Sequence, residues 1–390
     1  MNENFLEDVF CPFCGYPLAI GETFKKEKHE LIEAITTCAC GDYPISSGIL
    51  VLKKNITTNK AITLLREKRF SDATSCLIEV KPFSNTARLI SLVEETPFRN
   101  LTLLVKKIYS KSLFQELSFF EILDKLKWGI YSKYLKERMS DVDFFENRVL
   151  IHLFMKSFKT TADLRFLDLC GGVGHNGYVL SKYSKHVTCI DKFFINLFVA
   201  KKFFVPKGNF INLDANLGLP FEDNYFSGIV CSDAFYYITS KRVLSTEMKN
   251  KIATDGFLMI TTLPNLLRTG RGYYSGAMLP QDYLGYFTDL NARIFPHGKL
   301  FREFMAGEKL NVDDSKISEV NKATKLYVLA TQKENFFKTY ENPAEEIFNI
   351  SRENLVMNPL LAHKDPNLEA KTKFELWKQS VLIDAPKNYS

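Results

Sequence analysis

The stretch FLDLCGGVGHNG, residues 166–177, sets a short apolar run directly against a cluster of four glycines. An apolar run of this length, closed by an aspartate, predicts a strand buried on both faces. Gly171, Gly172 and Gly174 remove side chains at the turn that follows, so that a ligand can lie against backbone where a helix begins. Outward from this point the pattern alternates. HVTCID (186–191), NFINLD (209–214), FSGIVCSD (226–233) and GFLMITTL (256–263) predict strands. GYVLSKYSK (177–185), INLFVAKKFF (195–204) and KRVLSTEMKNKIA (241–253) predict the helices between them. Such alternation implies a doubly wound, mostly parallel sheet with ligands at the carboxyl ends of its strands. There the sequence places four acids, Asp168, Asp191, Asp214 and Asp233. Asp191 follows Asp168 at about the offset from which an acid reaches ribose hydroxyls in a nucleotide-binding fold.

The glycine spacing is not that of a dinucleotide dehydrogenase. Together with the motifs after it, CID, NLDANLGLPFEDNYF, CSDAFYYI and ATDGFLMI, residues 150–333 resemble the class I S-adenosylmethionine-dependent methyltransferases. The resemblance implies a Rossmann-like fold with S-adenosylmethionine as cofactor. It implies that Asp168 and the loop of Gly171, Gly172 and Gly174 hold the methionine end. Asp191, with Lys192 beside it, then takes the ribose, and Asp214 and Ala215 face the adenine. Ser232 completes the cofactor set. Asp233 and Tyr236 are the expected catalytic residues on the acceptor side. The cofactor's carboxylate suits a helix N-terminus and its ammonium suits the strand-end acids.

The chain has 390 residues, 25% charged and 46% hydrophobic, enough for two or three domains and a sizeable core. Its longest helix-like apolar stretch is too short and too broken by lysines to span a bilayer, and the N-terminus lacks a secretory pattern, so a cytoplasmic location and no membrane partner are expected. The formal charge of +6 lies in the middle of the chain without a dense Lys/Arg run, which argues against a nucleic-acid footprint.

Four of the eight cysteines, Cys11, Cys14, Cys38 and Cys40, fall within the first forty residues. CPFCG and CACG form two tight turns able to offer four thiolates to a zinc ion. The second pair is one residue tighter than the usual spacing. With Tyr43-Pro44-Ile45 and Gly48-Ile49-Leu50 after it, this segment resembles the zinc-ribbon family of the small methyltransferase-activator subunit, in which the ribbon is structural and docks on a methyltransferase domain. Cys170, Cys189 and Cys231 read as core, and His175 as a helix cap or surface residue, with substrate contact as the alternative.

The expected organisation is a zinc ribbon over 1–56, a helical linker or cap over 57–160, the catalytic domain over 161–333 with a lid insertion at about 264–320, and an extension over 334–390. Aromatic residues on the helical segment read chiefly as core, with lending Phe and Tyr to a substrate pocket as the alternative. Tyr237, Arg268, Arg271, Tyr273, Tyr274 and His297 form the expected substrate shell, with lid packing as the equal alternative. The expected acceptor is a small molecule or a biosynthetic intermediate such as a sugar or peptide product. RNA methylation is the second reading, because ribosomal guanine methyltransferases also carry a zinc module. A non-catalytic cofactor-binding scaffold is the third. The Asn-Pro-Pro-Tyr type of motif is absent, which speaks against adenine N6 chemistry.

Overall fold

The computed structural model describes residues 1–79, 101–270, 274–313, 315–361 and 372–390. Its first twelve strands, in chain order, are β1 (Ala19–Glu27), β2 (Glu30–Cys38), β3 (Gly41–Ser46), β4 (Ile49–Val51), β5 (Arg165–Leu169), β6 (His186–Asp191), β7 (Asn209–Asn212), β8 (Phe226–Ser232), β9 (Ile252–Pro264), β10 (Asn291–Pro296), β11 (Leu310–Asn311) and β12 (Lys325–Thr331), and three short strands follow in the C-terminal extension. Of the first twelve, all but β11 form one sheet of eleven strands in the order β1-β2-β3-β4-β7-β6-β5-β8-β9-β12-β10. From β4 to β9 every neighbouring pair is parallel. The β12 strand runs antiparallel to β9, and β10 antiparallel to β12. The predicted Rossmann-like sheet is therefore present, with helices on its faces. β5, first of the parallel set in sequence, lies in its middle, so the chain reverses direction of travel between β5 and β8. That reversal opens the crevice where ligands bind in open α/β sheets.

The central strands consist almost wholly of buried apolar residues, as strands covered on both sides must. Two findings go beyond the sequence reading. First, the cysteine-bearing segment is continuous with the main sheet, because β4 pairs in parallel with β7, Ile49 opposite Phe210 and Val51 opposite Asn212. Second, 291–296, inside the stretch read as a lid, is the edge strand β10. Its half-exposed Asn291, Arg293 and terminal Pro296 are tolerated at a sheet edge and disguise it in sequence.

The helical segment reaches the carboxyl end of β8, where its Tyr134 and Arg138 donate to Asp233 and Ser232. Its helix Phe119–Leu126 starts with a capping box in which Ser118 and Glu121 exchange hydrogen bonds. The helix Ile130–Glu137 follows after a left-handed Lys127. The C-terminal residues return across this cap: the Phe119 amide donates to the Asn388 carbonyl at 2.8 Å, and the Tyr389 ring stacks on Phe119. Among the described residues no helix is long and apolar enough to cross a membrane.

Candidate active site

Asp168 ends β5 fully buried, and its Oδ2 accepts the Gly177 amide at 2.8 Å. Among the described residues its Oδ1 has no hydrogen-bond partner. Burial pushes this carboxyl up to about 7, against the pull of the Gly177 amide. A Cβ on Gly171 would lie 2.4 Å from the carboxylate, so glycine is required for the close approach. Gly172 and Gly174 have φ of 57° and 85°, the left-handed region, and Gly174 opens the helix His175–Leu180. An unpartnered buried carboxylate beside bare backbone at a helix start fits a ligand end that carries both an ammonium and a carboxylate.

Asp191 ends β6, next to β5 in the sheet. Its Oδ2 accepts the Gly172 amide at 3.0 Å, and its Oδ1 accepts the Phe193 amide and Asn196 Nδ2. Lys192 is exposed, its ammonium over the Phe193 ring. Asp214, after β7, caps the turn at Ala215 by accepting from the Asn216 amide. The three acids thus stand along one line of strand tips, from the sheet centre outward.

Asp233 follows β8 with φ of 56°. Its two oxygens accept hydrogen bonds from phenols, Oδ1 from Tyr236 at 2.7 Å and Oδ2 from Tyr134 at 3.0 Å. Burial raises its carboxyl above the ordinary range, opposed by Arg138, the two phenols and Lys325. Tyr236 is buried, with Tyr237 4.2 Å away centroid to centroid and Tyr274 edge-on at 5.5 Å. Ser232 accepts from Arg138 Nη2 and from Asn147 Nδ2. Arg138, only 3% exposed, also pairs with Asp141 and Asp143.

In the N-terminal segment, one sulfur from each of Cys11, Cys14, Cys38 and Cys40 lies within 4.8 Å of all the others. The closest separations are 3.5 Å for Cys11–Cys40 and Cys38–Cys40, and 3.6 Å for Cys14–Cys38. Four sulfurs at ~2.3 Å from a tetrahedral zinc would stand roughly 3.8 Å apart, so the set fits that ion. The Phe13 amide points at Cys11 Sγ, and the Tyr43 hydroxyl lies within 3.3 Å of both Cys11 and Cys40.

Residues 167–260 match the family described as "Methyltransferase domain". The chain carries a methyltransferase domain. With the sheet order and acid-tipped strands above, it is an S-adenosylmethionine-dependent methyltransferase. Solved structures similar to this methyltransferase include a complex between the Haloferax volcanii Trm112 methyltransferase activator and a methyltransferase, 14% identical over 56% of this chain and 99% of that one, TM-score 0.38. The YcgJ protein from Bacillus subtilis is 16% identical over 61% and 93%, TM-score 0.33. A Thermotoga maritima S-adenosylmethionine-dependent methyltransferase is 12% identical over 55% and 98%, TM-score 0.36. No curated protein matches the sequence.

In this methyltransferase, Tyr236 donates to Asp233, and the rings of the exposed Tyr237 and of Tyr274 lie against Tyr236. Arg268 does not join them; it is exposed on the short helix Leu266–Thr269. His297 also stands elsewhere, its Nε2 2.7 Å from Asp143 and 3.9 Å from Glu146, because the end of β10 aims it into an ionic cluster behind Ser232. Arg271 and Tyr273 lie outside the described residues. His175 is not at the surface. The cap covers its helix, so it is buried among Phe119, Phe144 and Phe204, and burial lowers its ring to about 3. Cys189 and Cys231 are core. The sequence reading missed Tyr131, Tyr134, Arg138 and Asn147, all from the helical segment. Their one signal is the spacing of Tyr131, Tyr134 and Arg138, three and four residues apart on a single helix face.

Proposed function

We propose that this enzyme methylates a small-molecule or biosynthetic-intermediate acceptor, such as a sugar or peptide product, held between Asp233 and the tyrosines around it. The observation that carries this reading is the enclosure of Asp233: Tyr134 donates to it from the cap, Arg138 donates to the preceding Ser232, and Tyr236 closes it from its own loop. An acceptor reaching it must enter a roofed, aromatic-lined space, which suits a small ligand better than a folded RNA.

When bound, the cofactor supplies a methyl group activated on a sulfonium cation. In the proposed roles, Asp168 accepts from the cofactor ammonium, Asp191 from its ribose hydroxyls, and Asp214 with Ala215 borders the adenine. Lys192 and Ser232 border the same pocket. Asp233 orients the acceptor and takes up its proton, a task favoured by a carboxyl whose affinity for protons burial has raised. Tyr236 fixes that carboxylate in place. Exclusion of water by the cap keeps the developing charges in a preorganised setting. Cys11, Cys14, Cys38 and Cys40 hold one zinc ion, with a structural role. The proposed site of action is the cytoplasm.

The test uses cofactor labelled in its methyl group, incubated with the protein and a cell extract separated into small-molecule and RNA fractions. Label should enter the small-molecule fraction and should vanish with Asp233→Asn. Label confined to RNA would refute the small-acceptor reading and favour the ribosomal or transfer RNA alternative.

A further inference from the structure

The cap helix Ile130–Glu137 carries two tyrosines, Tyr131 and Tyr134, whose rings stack with centroids 5.9 Å apart and 21° between planes. They bridge the crevice between β5 and β8. Tyr134 reaches Asp233 after β8, while the Tyr131 hydroxyl comes within 3.7 Å of where a Cβ on Gly172 would stand. Gly172 has a particular position in the cofactor half. Its neighbour Gly171 rests on the Asp168 carboxylate, the methionine-end acid, and its own amide donates to Asp191, the ribose-end acid. The sulfur of S-adenosylmethionine joins those two ends covalently, so it must lie between the two acids, near Gly172. Opposite Gly172 stands Tyr131.

We infer that Tyr131, extended toward Asp233 by Tyr134, is the aromatic wall that recognises the sulfonium centre of the cofactor. This rests on the cofactor placement given under the proposed function. The physical basis is the attraction of an onium cation to the negative face of an aromatic ring, which strengthens when water is excluded. Tyr131 is half-buried with its ring against Trp128, and Tyr134 has the Arg138 guanidinium 5.5 Å from its ring, so Tyr131 is the principal contact of the pair. The assignment also gives the helical segment a role in catalysis, since a cap that undocks takes the wall away from the methyl.

The test compares two ligands that differ in charge at sulfur. S-adenosylmethionine is a sulfonium, and S-adenosylhomocysteine is a neutral thioether of otherwise the same shape. Calorimetric titration of the full chain with each ligand should show Tyr131→Leu losing about 3- to 30-fold in affinity for the sulfonium, with the thioether within roughly twofold of the parent. Tyr131→Phe keeps the ring and should preserve the preference for the sulfonium. Retained thioether binding reports that the variant is folded. An equal loss for both ligands would overturn the inference, because it would make Tyr131 a packing residue. A gain for both would overturn it too, because Tyr131 would then be filling the cofactor's place. A parent protein that binds neither ligand would instead sink the functional reading itself.

Discussion

Asp168 shows what burial does to a single carboxyl. The unfolded chain releases its proton in the ordinary carboxylate range, whereas the folded chain holds it to about 7. Between those values the folded state binds more protons than the unfolded state, so this group's contribution to stability falls as pH rises and then levels off above about 7. A cofactor ammonium at the unpartnered Oδ1 would reverse that cost by favouring the ionised form. Affinity for S-adenosylmethionine should therefore climb from about pH 6 to about pH 7.5, and Asp168→Asn should flatten the climb. A parent whose affinity is constant over this interval would separate Asp168 from the ammonium. Asp191 presents the opposite case, a carboxylate already bonded to Gly172, Phe193 and Asn196. Asp191→Ala should weaken cofactor binding by about 1–3 kcal/mol through lost charged hydrogen bonds. Calorimetry giving equal affinity for mutant and parent would show that Asp191 has been assigned wrongly.

At the scale of elements, the sequence was legible where one periodicity ruled. The strands β5 to β9 could be read because each is a run buried on both faces, and four of them deliver an acid at the carboxyl end. β10 escaped because an edge strand needs no such run. The cap's helices were legible, but their docking was not: periodicity marks a face without saying what it meets. The same limit hid the C-terminal clasp, which depends on contacts between residues hundreds of positions apart. Asp384 is buried and accepts from Tyr178, Ser351 and Lys182, tying the extension to the helix after the glycine loop. A few residues on, Tyr389 packs on Phe119 and Phe120 and donates to the Lys136 carbonyl at 2.9 Å. Tyr389→Ala should cost about 3 kcal/mol in urea denaturation by opening a cavity under the cap. Hydrogen exchange should rise first over 119–137, the cap helices that this ring secures. Unchanged exchange there would mean the cap is held without the clasp.

At the scale of the whole molecule, the cysteine-bearing segment does not stand apart. β4 extends the parallel sheet, and Ile45 and Leu50 share one apolar core with Ile190 and Ile211. The Phe10 amide donates to the Pro220 carbonyl at 2.9 Å, and Tyr225 donates to Asp8 at 2.7 Å. The resemblance to an activator subunit led to the expectation of docking, yet the pairing of β4 with β7 rests on long-range register that spacing alone cannot reveal. A ribbon that merely sat beside the domain would let Cys11→Ser loosen the first fifty residues alone. A shared sheet and core predict instead that loss of zinc lowers the stability of the entire chain in one cooperative transition. The two tryptophans make this measurable, since Trp128 lies in the cap and Trp377 in the C-terminal extension, both buried and neither in the ribbon. Metal analysis should find one zinc per chain, and a strong chelator should move the thermal transition seen by tryptophan fluorescence down by several degrees. Cys11→Ser should do the same without chelator, whereas a tryptophan transition indifferent to both treatments would show that the ribbon unfolds by itself.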